Sequence, residues 1–158
     1  MRIAKIIFSD TDLTNKQVMG SMTTLLEKGA SNLINELAAI GTCDFGHAVI
    51  TKSYTSDFTN YIFIPILDQQ SPEYRIDTPT FHQSIRSALD LAKLYEIGDI
   101  VLEIPNMNQE KTVYSLKSWG LSLRKVIRPL LNRERIKDVV NSVSRDYPGI
   151  LVRFVELS

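Results

Sequence analysis

The stretch FHQSIRSALDLAKLYEIGDIVLEIPN, Phe81 to Asn106, reads as one helix, one tight turn and one buried strand. Phe81, Ile85, Ala88, Leu89, Ala92 and Tyr95 recur at helical spacing and form one apolar stripe. Thr80 is placed to cap the start, and Pro79 before it discourages an earlier turn. Gly98 stands where a left-handed C-terminal cap belongs. The run Ile100-Val-Leu-Glu-Ile104, bounded by Gly98 and Pro105, predicts a strand covered on both faces. A helix feeding such a strand through so short a turn is half of a βαβ unit. Ligands of open sheets sit beyond the carboxyl ends of the strands, which points to Pro105-Asn-Met-Asn108.

The 158 residues predict one domain spanning 1–158, with enough chain to bury a core unaided. Eighteen basic and eighteen acidic residues cancel, so the whole chain has no bulk attraction to nucleic acid or membrane. Cys43 is the only cysteine, which excludes an internal disulfide and favours a reducing, cytoplasmic setting. No apolar run approaches the ~20 residues needed to span a bilayer. Between Lys117 and Lys137, seven basic residues face only Glu134. With Trp119 as its single aromatic, this segment lacks stacking platforms and reads as a solvated helix face, not a nucleic-acid site.

Outward from the opening stretch, elements alternate. Ile3–Phe8 is a strand, Gln17–Ala38 a helix closed by Gly41, and Gly46–Tyr54 and Tyr61–Leu67 two strands of an antiparallel hairpin. Pro65 demands an unpaired side or a bulge in the latter. Helices are expected at Ser115–Leu131 and Arg135–Arg145, and a last strand at Ile150–Val155. The order β-α-β-β-α-β-α-α-β predicts an α/β fold, a mixed sheet with helices on both faces.

Motifs of known chemistry are mostly absent. The two closest of the seven glycines, Gly41 and Gly46, are five apart, so neither a dinucleotide fingerprint nor a P-loop can form. His47 and His82 lie 35 positions apart, and no His or Cys pair has zinc-ligand spacing. Cys43 reads as a small buried apolar residue, since His47 on an extended chain lies ~13 Å away. Asp10 and Asp12 could act as bases or ligands, or could cap the turn after the first strand.

Cys43-Asp-Phe-Gly-His-Ala-Val-Ile-Thr51 resembles the C-x-x-G-x-A-x-x-T stretch of the macro domain family. Ile85-x-x-Ala88-Leu-x-x-Ala92, Ile97-Gly-Asp-Ile100 and Pro105 are similar to the family's helix and the strand before its second ligand loop. Gly20 to Leu37 resembles the helix after the first ligand loop, and Thr112-Val-Tyr114 stands where the family has Gly-Val-Tyr. The likeness covers most of residues 3–130 and implies a macro-domain-like three-layer α/β/α sandwich. It also implies a cleft for ADP-ribose or a related nucleotide, lined by Asp10, Thr11, Asp12, Gly20, Asn106, Asn108, Thr112 and Tyr114.

The pattern departs from the family where ligand chemistry resides. Phe8 and Thr11 match positions where asparagines meet the distal ribose, and Ile64 matches a common histidine. The first glycine-rich loop reads Thr14-Asn-Lys-Gln-Val-Met-Gly20, the second Gln109-Glu-Lys-Thr-Val-Tyr-Ser115. Backbone amides cradle a diphosphate only where no Cβ intervenes, and Glu110 adds a like charge. The expectation is a non-catalytic domain without cofactor whose ADP-ribose binding is weak or lost. The alternatives are a site for a related nucleotide and a protein-interaction module, with a homo-oligomer through a helix face as one form of it.

Overall fold

Ile3-Ala-Lys-Ile-Ile-Phe8 becomes the middle of a sheet because its two alternating side-chain sets both meet apolar layers. The computed structural model describes residues 2–15, 31–68, 76–105 and 131–156 in full, and 111–116 and 122–127 as backbone. The elements are β1 (Ile3–Asp10), α1 (Ser31–Ile40), β2 (Val49–Lys52), β3 (Asn60–Leu67), α2 (Thr78–Leu94), β4 (Asp99–Ile104), β5 (Lys111–Leu116), β6 (Ser122–Ile127), α3 (Arg133–Ser144) and β7 (Leu151–Glu156).

Five strands form one mixed sheet in the order β2-β3-β1-β4-β7. β1 is parallel to β3 and β4, β4 is parallel to β7, and only β2 runs antiparallel, as the hairpin partner of β3. All five sequence-predicted strands are present, and the sheet lies between helical layers. Ala4, Ile6 and Phe8 face α2 and α3, together with Ile62, Ile64, Ile100, Leu102 and Ile104. Ile7, Tyr61 and Phe63 face α1 through Leu33 and Leu37, with Leu13 and Cys43 completing that smaller core. Cys43 is thus the buried apolar residue expected.

The deciding helix keeps its stripe: Phe81, Ile85, Ala88, Leu89 and Ala92 are buried. Each large apolar side chain so removed from water contributes ~1.5–3 kcal/mol. Its ends differ from the expectation. Asp77, not Thr80, is the N-cap; its carboxylate accepts the Thr80 N–H at 2.7 Å, and Pro79 sits inside the first turn. Proline is accepted there because that turn's N–H groups lack helical partners anyway. Glu96, not Gly98, takes the left-handed conformation, at φ +57°. Ile97 N–H donates to the Ala92 carbonyl at 2.8 Å and Glu96 N–H to that of Lys93 at 3.2 Å, a Schellman pair that closes the helix before Gly98 is reached. Tyr95, the last stripe position, falls beyond the helix and is exposed.

Glycine is needed at Gly46, in the motif that carries the family resemblance. Its φ is +90°, and a Cβ there would lie 3.3 Å from both Thr80 Cγ2 and Gln83 Oε1. Its N–H donates to Ser84 Oγ at 3.0 Å, tying this turn to α2. The strand therefore starts at Val49 rather than Gly46. Pro65 has both features expected of it. The β2 ladder stops at Phe63, and the β1–β3 register jumps by one residue just after Ser9 pairs with Pro65.

Two expectations fail. The span Ser115–Leu131 is not a helix: β5 and β6 form an antiparallel hairpin, from Lys111 opposite Ile127 to Leu116 opposite Ser122. Thr112, Val113, Tyr114, Val126 and Ile127 favour strands, and Gly120 costs a helix interior ~1 kcal/mol. Two short runs joined by five residues with a glycine are a hairpin signal, one that the leucine spacing masked. The basic segment is therefore not one helix face; within it Arg133 and Lys137 of α3 both pair with Glu156. Nor is β4 covered on both faces: Ile100, Leu102 and Ile104 are buried, whereas Val101 and Glu103 are only half-buried. α1 packs on β1 and β3 through Leu33 and Leu37.

Candidate functional site

The carboxyl ends of the parallel strands place β1, β3 and β4 side by side, so Asp10, Leu67 and Ile104 mark one rim. Past Asp10 the chain is pinned on both sides. Thr11 N–H donates to the Leu67 carbonyl at 3.1 Å, and Cys43 N–H to the Thr11 carbonyl at 2.9 Å. Leu13 N–H donates to the Gly41 carbonyl at 3.0 Å, and Asp12 bridges to Thr42. The turn after β1 thus closes against the glycine that ends α1.

Both aspartates are engaged with this turn. Asp10 is 1% exposed, and its Oδ1 accepts the Asp12 N–H at 2.8 Å and the Thr11 hydroxyl at 3.4 Å. Its Oδ2 accepts the Asn15 side-chain amide at 3.4 Å. Asp12 Oδ1 accepts the Thr14 N–H at 2.9 Å and the Thr14 hydroxyl at 2.6 Å. Those bonds hold the Asp12 carboxyl below the usual carboxylate range, so the rim carries an anion at neutral pH. The pattern is that of successive Asx turns.

Asp10, Thr11 and Asp12 are therefore brought together, within one turn. Gly20, Asn106 and Asn108 lie outside the described residues. Thr112 and Tyr114 fall on β5, whose backbone alone is described. The turn after β4 starts at Pro105, which is buried.

The sequence places Ser9 in a polar exit, Ser9-Asp-Thr-Asp12, after the first strand, whereas it lies inside β1. Its Oγ is buried and has no hydrogen-bond partner among the described residues. Strand alternation sets it on the Ile7 side of the sheet, where one hydroxyl in an otherwise apolar pattern was the available signal. Phe8 and Ile64 are direct neighbours across the β1–β3 ladder, 3% and 0% exposed. The Phe8 ring meets Phe81 edge-on, centroids 5.8 Å apart, inside the α2-side core.

Cys43 does not supply a nucleophile at neutral pH, because burial, with Asp44 adding to it, pushes its thiol up to about 11. Among the described residues, no group of three or more His, Cys, Asp or Glu is placed to hold a metal, and no helix is long and apolar enough to cross a membrane. Two open clefts, of about 430 and 590 Å³, lie at the opposite end of the sheet, by Gly98 and by Arg2 and Asn60.

No protein-family model matches the chain, and no curated protein sequence matches it significantly. Solved structures do. The macrodomain of Mycobacterium tuberculosis DarG shares 10% identity over 98% of this chain and 89% of its own, at a TM-score of 0.66. The macro domain of ganglioside induced differentiation associated protein 2 shares 13% over 97% and 69%, at 0.64. The Trypanosoma brucei macrodomain, solved in complex with ADP-ribose, shares 15% over 98% of this chain and 58% of its own, at 0.66. With the mixed sheet and its flanking helices, these likenesses show that the chain has the macrodomain fold.

Proposed function

We propose that residues 1–158 form a non-catalytic macrodomain-fold unit in which the strand-end site has weak or lost affinity for ADP-ribose. The observation that carries this reading is the pair Phe8 and Ile64. The family resemblance puts a ribose-contacting asparagine at the position of Phe8 and a common histidine at that of Ile64, yet here the two adjoin across the β1–β3 ladder and belong to the core under α2. A ligand could reach Phe8 only by displacing an aromatic contact from that core. The turn after β1 adds support. Asp10 and Asp12 spend carboxylate oxygens on local N–H and hydroxyl groups, and the Asp12 anion disfavours a diphosphate nearby.

Each lost hydrogen bond to a charged group removes ~1.5–3 kcal/mol, so three such losses carry a micromolar site past millimolar. Isothermal calorimetry with ADP-ribose, and with ADP and AMP beside it, tests this. No heat of binding is expected at ligand concentrations up to about a millimolar. A Kd below ~50 µM, roughly 6 kcal/mol of binding, overturns the proposal and leaves the strand ends a working nucleotide site.

A further inference from the structure

The five-stranded sheet has two edges that differ in protection. β2 is only four residues long and runs into the Gly46 turn at one end and the Ser53 loop at the other. So short an edge resists further pairing. β7 is six residues long, matched to β4 throughout, and among the described residues pairs with no strand on its outer side. It has no proline and no bulge in its ladder. Leu151 is 60% exposed and Val155 44%, and alternation sets them on one face. Val152 and Phe154, on the other face, pack against the α2-side core.

We propose that β7 is a homodimer interface, in which a second copy of this chain adds its own β7 antiparallel about a two-fold axis through Arg153. Two five-stranded sheets then become one continuous sheet.

The strand's own pattern selects this occupant. Leu151-Val-Arg-Phe-Val155 is apolar and symmetric about Arg153. The two-fold axis sets Leu151 against the partner's Val155, and Val152 against the partner's Phe154. Opposed side chains of an antiparallel pair share a face, and apolar pairs of this kind are what stabilise a sheet. Such an isologous contact closes after two copies. Charge permits it. Arg153 lies on the axis, where the second copy's arginine would repel it, but Asp99 accepts its Nε and Nη2 hydrogen bonds at 3.2 and 3.0 Å. Each copy therefore brings a neutral pair to the axis. Glu156, outside the apolar run, is paired with Lys137 and with Arg133. A strand from an unrelated protein would need none of this symmetry.

Sedimentation velocity across a dilution series from about 5 to about 500 µM tests the interface, which falls in the small, weak class. A concentration-dependent monomer–dimer equilibrium is expected. Leu151→Lys with Val155→Lys charges the edge and should leave monomer at every concentration, with circular dichroism and melting temperature unchanged. Should that variant not fold, Arg153→Cys gives a second readout. The substituted thiol meets its own copy across the axis at a Cα separation of ~4.5–5.5 Å, so mild oxidation with diamide should yield a covalent dimer. The buried Cys43 does not compete. Monomer throughout, an assembly larger than a dimer, a dimer that ignores a folded lysine variant, or no covalent dimer from Arg153→Cys overturns the proposal.

Discussion

At the scale of single residues, the described part of the candidate site, Asp10 to Asp12, consists of side chains already engaged by the fold. Asp10 is buried, and its carboxylate holds the turn after β1 through the Asp12 N–H, the Thr11 hydroxyl and the Asn15 amide. Removing a buried acceptor strands its donors, so Asp10→Ala is expected to lose ~1–3 kcal/mol in urea unfolding. Asp10→Asn, which keeps one oxygen, should lose less. A loss under about 0.5 kcal/mol, the range of ordinary surface substitutions, would show that Asp10 does not organise this turn. Cys43 gives an independent check. With its thiol pushed up to about 11 by burial and Asp44, it should stay unreactive to a thiol-specific dye at pH 8 and react at once in denaturant. Prompt reaction in the native state would mean that the α1-side core opens there.

At the scale of elements, the α2–β4 unit decides the fold and also holds one of the two non-glycine left-handed residues among those described. Leu89 is fully buried in the larger core, so Leu89→Ala should cost ~2–5 kcal/mol through transfer and cavity terms. A loss below about 1 kcal/mol would place this helix face at the surface. Glu96 bears the left-handed turn that a glycine adopts freely. Glu96→Gly should then stabilise by up to ~1 kcal/mol, seen as a raised urea midpoint with an unchanged slope. Gly46→Ala has the opposite sign. It adds left-handed strain and 3.3 Å contacts against α2, and should destabilise by ~1–2 kcal/mol.

At the scale of the whole molecule, charge sets a pH window. Asp77 is held low by its bonds to Thr80, Asp12 by its bonds to Thr14, and Glu156 by Lys137. A depressed carboxyl stabilises the fold above its unfolded value, and that contribution is lost as pH falls through the folded value. The melting temperature should therefore drop below pH 4.5, the ordinary value for glutamate, and Asp77→Asn should blunt the drop while keeping the cap. On the alkaline side the signs reverse. Tyr54 is raised by its bond to Glu36, Tyr147 by burial and Asp90, and Cys43 by burial. Groups raised in this way stabilise fully below their unfolded values and lose that contribution as pH climbs through the folded ones. Stability should therefore decline above pH 9, the ordinary thiol value. A flat profile from pH 3 to pH 10, the ordinary carboxylate and tyrosine range, would show that these contacts do not persist in solution.

Local order was legible in the sequence because it depends on neighbours a few residues apart. The helical stripe from Phe81 to Ala92, the apolar run of β4, the glycine ending α1 and the β2–β3 hairpin all follow from periodicity and backbone freedom. Pro65 announced its own register jump because a missing N–H cannot be hidden. Within the candidate site, Asp10, Thr11 and Asp12 were legible as the end of the first strand, whereas the burial of Ser9 was not, since burial of one hydroxyl depends on what packs over it. The same holds for the larger misreadings. Leucine spacing in 115–131 suits a helix, and only pairing across the hairpin decides for strands. Val101 alternates correctly, yet stays half-buried, because its burial depends on what distant segments pack over that face. Among the described residues the strand order β2-β3-β1-β4-β7 leaves β7 as an edge, and that order is set by contacts between segments far apart in the chain, which no local pattern encodes.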